Sequence, residues 1–264
     1  MDENSTLEGA LASTQSRAEA ALDTAGRMTA ALRRARSAAS TGDTRDLRRA
    51  IATAERLTSE LTQTVTDLAG GYRIDEVSYL ASGAYVRELR QAADEADLTM
   101  LEEDNLLLCY PSLVRVLASE QAVSVDRRKE RRLRPSVLVA TLAEAQRKGP
   151  RFRPEPFLAS LQRAYDLVIA ERRLPPGAVV RLLAMYDVFT VLPGQAREYP
   201  RPEFARDLYL LDQSGVTTAK DGRRMRWAAS SGTRGSDALT TVSHHGQPKR
   251  YYGVAFEDAA SSPT

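Results

Sequence analysis

From Leu7 onward, small or apolar residues recur at Leu7, Leu11, Thr14, Ala18, Ala21, Ala25, Met28, Leu32 and Ala35. The alternating four- and three-residue spacing, with one polar Thr, keeps a single stripe of an α-helix turned toward a partner helix. Ser40-Thr41-Gly42-Asp43 interrupts the pattern, and Asp43 or Thr44 can cap a new helix. A second stripe follows at Leu47, Ile51, Ala54, Thr58, Leu61, Val65 and Leu68, ending at Gly70-Gly71. Two heptad helices joined by a short polar turn predict an antiparallel helical hairpin or coiled coil. No other feature narrows the fold so far.

The stripe is rich in alanine and threonine, which bury little apolar area, so the hairpin needs a third partner. One reading supplies it from within, by a helix over residues 75–97 carrying Val77, Leu80, Ala84, Leu89 and Ala93. The other makes residues 7–68 an arm for a protein partner or a second copy.

Charge divides the chain. Residues 1–104 hold 12 Arg against 19 Asp and Glu, whereas residues 105–264 hold 25 Arg and Lys against 16 acids. A net +2 thus hides an acidic head and a basic body, which points to a polyanionic partner or to assembly between the parts. The 33 Arg to 4 Lys is the usage of a GC-rich bacterial genome. Cys109 is the single cysteine, which excludes an internal disulfide framework and fits a reducing cytoplasm. It lies in the apolar run 106–109 and is expected to be a small buried hydrophobe. No apolar stretch has the length of a membrane span, and the acidic N-terminus has no signal core.

Residues 105–153 are expected to form two or three short strands, at 106–109, 113–117 and 122–125, followed by a helix from about 135 to 147. Between them lies a run of six cations in nine residues: Arg127, Arg128, Lys129, Arg131, Arg132 and Arg134. Guanidinium groups bind phosphate oxygens bidentately and stay charged, so the run is a candidate phosphate contact. The alternatives are a solvated, Arg-rich turn or a patch that docks on the acidic head of a neighbour. A second cluster, Arg147, Lys148, Arg151 and Arg153, brackets Phe152 in a Pro/Gly linker.

After the linker, helices are predicted at 156–172, 178–191 and 204–212. Strands are predicted at 216–218, 224–227, 239–243 and 250–256, the last two joined by His244-His245-Gly246-Gln247-Pro248. Three helices followed by a β-hairpin resemble a winged helix, over residues 154–258. The resemblance implies a third helix in the major groove and a β wing on the backbone or minor groove. It assigns Arg201 and Arg206 to the helix, and Lys220, Arg223, Arg224, Arg226, Lys249 and Arg250 to the wing. Almost all are cations, which suits sequence-independent phosphate contact rather than base readout. Winged helices also serve as protein-contact modules.

Catalytic signatures are weak. Adjacent His244 and His245 should face apart without a nearby Cys, so no zinc or other metal is expected. Ser243 with Asp237 lacks a nucleophile elbow. The Gly232-Thr233-Arg234-Gly235 loop lacks the Lys-Ser/Thr of a phosphate-binding loop, and Glu102, Glu103 and Asp104 cannot all face one cation. The sequence thus predicts an α+β chain, mainly α with small β. It places an acidic hairpin at 1–104, a mixed region at 105–153, a winged-helix-like domain at 154–258 and an unstructured tail at 259–264. The expected function is non-enzymatic, cofactor-free and cytoplasmic: DNA or another polyanion on the body, a protein partner or self on the hairpin, no membrane. The alternatives are a structural adaptor that binds no nucleic acid, or a winged-helix transcriptional regulator.

Overall fold

The computed structural model describes residues 6–228 and 238–258; the predicted tail at 259–264 and the Gly232–Gly235 loop with Asp237 lie outside them. The fold is mainly helical with small antiparallel sheets. Two compact units divide it: Met1–Leu89 with Ala118–Gln121 and Arg132–Val137, and Arg90–Leu117 with Ala122–Arg131 and Leu138–Thr264. Among the described residues no helix is long and apolar enough to cross a membrane.

In the first unit, α1 (Leu7–Thr41) and α2 (Thr44–Gly71) lie antiparallel. Gly42 ends α1 in the left-handed region at φ 77°, where a side chain would be strained, and the Asp43 carboxylate accepts the Asp46 N–H at 2.9 Å to start α2. Arg34 Nε reaches both oxygens of Asp46 at 2.8 and 2.9 Å near the turn, and Arg17 Nη1 donates to the Asp67 carbonyl at 3.0 Å near the other end.

The buried row keeps Leu7, Ala21, Ala35 and Ala54 of the predicted stripe but otherwise lies one residue earlier, at Ala10, Thr24, Ala31 and Ala38 on α1 and at Ala50 and Leu57 on α2. Met28 packs on Ala31, Ala54 and Leu57. The predicted seam residues Leu32, Ile51 and Val65 are 52%, 44% and 48% exposed. Alanine at most of the buried positions lets the two helices approach closely, with Leu57 filling the space beside Ala31 and Met28.

The helix predicted at 75–97 is two helices, α3 (Glu76–Ala81) and α4 (Ala84–Glu95). Gly83, at φ 75°, breaks it. The Glu88 carboxylate accepts from the Leu7 and Glu8 N–H groups at 3.1 and 2.7 Å, placing negative charge on the positive end of α1. Tyr79 OH donates to the same carboxylate at 2.8 Å. Glu8 in turn accepts from the Ser136 N–H at 2.9 Å and from Arg134 Nε at 2.6 Å.

In the second unit, five strands form an antiparallel meander: β1 (Leu101–Glu103), β2 (Leu106–Cys109), β3 (Ser112–Leu117), β4 (Ala122–Val125) and β5 (Arg128–Glu130). The outermost two were not predicted, because three residues rich in charge show no apolar alternation. The β1–β2 and β4–β5 turns are the pairs Asp104-Asn105 and Asp126-Arg127, all four at positive φ, as tight hairpins between twisted strands require. Helix α5 (Pro135–Lys148) follows the meander.

The rest of the unit runs α6 (Pro154–Arg172), β6 (Val180–Arg181), α7 (Leu182–Phe189), α8 (Gln195–Glu198), α9 (Arg201–Ser214), β7 (Arg224–Trp227), β8 (Leu239–Val242), β9 (Pro248–Tyr251) and β10 (Gly253–Glu257). Strands β6, β10 and β7 form one antiparallel sheet with β10 in the middle, and β8 pairs with β9. Two predicted elements are divided here. Residues 180–181 leave the predicted helix to pair with β10, and the strand predicted at 250–256 changes partner at Tyr252, whose carbonyl accepts the Leu182 N–H at 2.8 Å. Predicted strand 216–218 makes only a bridge, Thr218 to Arg224. The core joins Leu161, Tyr165, Leu182, Met185, Phe204, Leu208, Val254 and Phe256.

Hydrogen bonds from Ser136 and Arg134 hold the Glu8 carboxyl below its usual range, although its partial burial opposes this. A depressed carboxylate stabilises the fold above its unfolded pKa and ceases to do so as pH falls through its folded one. Glu8→Gln should lower unfolding free energy by about 1 kcal/mol at neutral pH, the modest figure reflecting partial exposure. Urea unfolding of both proteins against pH should show that gap close below pH 4.5, the ordinary value for a Glu.

Candidate nucleic-acid interface

Helix α9 buries Pro202, Phe204, Ala205, Leu208, Tyr209, Leu210 and Leu211, half its length. Its exposed residues are Arg201, Gln213 and Ser214, while Glu203, Arg206 and Asp207 are largely withdrawn from solvent. Arg206 sits 3.0 Å from Asp126, 3.4 Å from Glu203 and 3.1 Å from Asp207, with its side chain 17% exposed. Despite burial, those three carboxylates hold its guanidinium firmly charged. Burial lifts the Asp207 carboxyl, against the pull of Arg206 and of the Tyr199 hydroxyl that donates to it at 2.8 Å. Arg127, from the β4–β5 turn, joins the same cluster at 2.9 Å from Glu203. The structure thus brings Arg127 and Arg206 together around one carboxylate, as internal neutralisation. Arg201, in the first turn of α9, is exposed and lies 6.0 Å from the centre of the Tyr186 ring.

The strands distribute the remaining cations in two ways. Arg223 is fixed, with Nη1 and Nη2 each 2.7 Å from the Asp166 carboxylate and Nε 2.7 Å from Asp221. Arg226 pairs with Glu257 at 2.7 Å. Lys220 and Arg224 are exposed on the turn and strand that lead into the sheet, and Met225 between Arg224 and Arg226 points into the core. On β9, Lys249 and Arg250 are exposed opposite Thr241 and Thr240, while Tyr251 turns inward. Four predicted wing cations, Lys220, Arg224, Lys249 and Arg250, are therefore exposed and carry no carboxylate at ion-pair distance among the described residues.

Within the basic run, Arg128 and Lys129 lie on the exposed edge strand β5 opposite Val125 and Ser124, with Arg131 and Arg132 exposed after it. Arg134 belongs to the first unit, where it binds Glu8 and donates to Gln15 Oε1 at 2.6 Å. In the second cluster Lys148 pairs with Glu144 at 2.6 Å, and Phe152 packs edge-on against Phe157 at 5.5 Å between ring centres.

One polar centre has no counterpart in the sequence reading. Tyr209 OH lies 2.7 Å from His244 Nδ1 and accepts the His244 backbone N–H at 3.0 Å, with Tyr110 edge-on to Tyr209 at 5.6 Å. The His244 and His245 rings do not face apart; their centres are 3.7 Å apart, because the tyrosine draws His244 back over the turn. No local signal could reveal a contact spanning 35 residues. Ser243 Oγ accepts the Gln247 N–H at 3.0 Å, a turn contact. Burial pushes the Cys109 thiol up to about 11, so it stays protonated at neutral pH. Among the described residues no group of three His, Cys, Asp or Glu converges on a metal position.

This division of the cations has a measurable consequence. Arg206→Ala would leave buried carboxylates without their cation and should destabilise the protein by about 3 kcal/mol. Lys249→Ala, on an exposed strand position, should stay within about 0.5 kcal/mol of the parent in the same denaturant titration. No protein-family model, curated protein or solved structure matches this chain.

Proposed function

We propose that this chain is a non-enzymatic, nucleic-acid-associated assembly subunit. Its second unit meets DNA phosphates through exposed cations on a winged-helix-like body, and its helical hairpin makes the protein contact. The observation that carries the reading is the exposed set Lys220, Arg224, Lys249 and Arg250 on the C-terminal strands and the turn that precedes them. The order α6, α7, α9 and then the strands supports the winged-helix description, and so does the sheet that ties β6, before α7, to β10 at the end. The contact would be to backbone alone. Arg206, Glu203 and Asp207 are engaged with one another, and α9 leaves only Arg201, Gln213 and Ser214 exposed, few side chains for reading base edges. A protonated buried thiol at Cys109 and a serine engaged in its own turn favour a binding role over covalent catalysis.

The few exposed residues of α9, Arg201, Gln213 and Ser214, also favour a second reading, a structural adaptor that binds no nucleic acid and whose exposed cations meet an acidic protein. Salt separates the two. Retention of arbitrary duplex DNA should be present at about 50 mM salt and fall by orders of magnitude toward about 200 mM. Replacing Lys220, Arg224, Lys249 and Arg250 with alanine should lower the log–log salt slope by about one for each phosphate left unneutralised, equally for unrelated sequences. No retention at the lower salt leaves the adaptor.

A further inference from the structure

The shifted seam of the hairpin leaves a second apolar row in solvent. Leu22, Leu32, Ile51 and Val65 are 71%, 52%, 44% and 48% exposed. Each is the residue immediately after an inward-facing position: Ala21, Ala31, Ala50 and Thr64. One step along a helix turns the side chain by about 100° in a fixed sense. Because α1 and α2 run in opposite directions, the same turn brings all four residues to the same flank of the hairpin.

That flank is self-complementary. Arg27 lies midway between Leu22 and Leu32, and Thr58 lies midway between Ile51 and Val65. The two midpoints are level, since Thr58 Oγ1 is 3.5 Å from Met28 Sδ and Arg27 Nη2 is 3.9 Å from Glu60. A two-fold axis through this level lays α1 on α1 and α2 on α2 of another copy, with Leu22 over Leu32 and Ile51 over Val65. The charges follow the same symmetry. Toward the turn Arg33, Arg34, Arg36, Arg45, Arg48 and Arg49 outnumber Asp43 and Asp46, and toward the opposite end Glu19, Asp23 and Asp67 outnumber Arg17. Antiparallel copies place turn against open end, with Arg36 of one level with Glu19 of the other; parallel copies would set arginine against arginine.

We propose that two copies of this chain associate antiparallel through this flank, forming a four-helix bundle in which each apolar row completes the other's burial. This isologous contact closes on itself. It deepens the assembly half of the proposed function and names the partner as the chain itself.

Sedimentation of the full chain without nucleic acid tests it. The expected species has twice the 29.0 kDa chain mass. Leu32→Lys with Val65→Lys should halve that mass while helical circular dichroism stays unchanged, since both side chains face solvent in one copy. Thr58→Cys sits beside the axis and should give a disulfide-linked dimer on mild oxidation, whereas the parent, with Cys109 buried, should not. Arg36→Glu should weaken the dimer and the further change Glu19→Arg should restore it. A parent that stays monomeric across the micromolar range overturns the proposal, as does a dimer that Thr58→Cys fails to link. DNA retention is read separately: a dimer that ignores DNA overturns only the polyanion reading, and a monomer that retains DNA overturns only this one.

Discussion

The second unit closes on strand β10. Gly253 and Val254 pair with Arg181 and Val180, while Val254 through Glu257 pair with Trp227 back to Arg224, so one strand satisfies backbone groups from two distant stretches of chain. Gly253 is required there. A Cβ would fall 2.8 Å from the Val180 carbonyl oxygen, closer than any side chain can sit. With the pairing made, Val254 and Phe256 enter the core against Tyr165 and Phe204, and helices α6, α7 and α9 pack around them. The exposed cations of β7 owe their direction to the same pairing, because Met225 must turn inward beside Phe256 and so leaves Arg224 and Arg226 outside.

The first unit rests on a weaker device. Its helices meet through alanine, which permits close approach but buries little area per residue. Leu7 and Leu57 are buried, while Leu22, Leu32, Ile51 and Val65 stay exposed. The arrangement trades intramolecular burial for a surface with a definite pattern of apolar and charged groups. Capping compensates at the ends: Glu88 on the first N–H groups of α1, and Asp43 on those of α2.

Charge in this chain serves two different purposes, and composition cannot separate them. Arg127, Arg134, Arg206, Arg223 and Arg226 are each held by carboxylates within the fold. Lys249 and Arg250 project from an exposed strand. All seven look alike as basic residues in a basic stretch. Their difference arises from acids such as Glu8, Asp166 and Glu203, most of them tens of residues away in sequence, that folding brings into contact.

Local chemistry was legible from the sequence. The heptad period marked two helices, Gly42-Asp43 marked their turn, and short apolar or β-prone runs between turn formers marked β2, β3, β4, β7 and β8. These follow from steric and capping preferences within a few residues. Four features were decided only by tertiary structure: the phase of the hairpin seam, the division of residues 250–256 between two sheets, the pairing of Val180 with β10, and the neutralisation of Arg206. Each depends on which distant backbone or side chain arrives, and on how closely a small residue lets it approach. A period in the sequence shows that a face exists; the size of the opposing residues decides which face is buried.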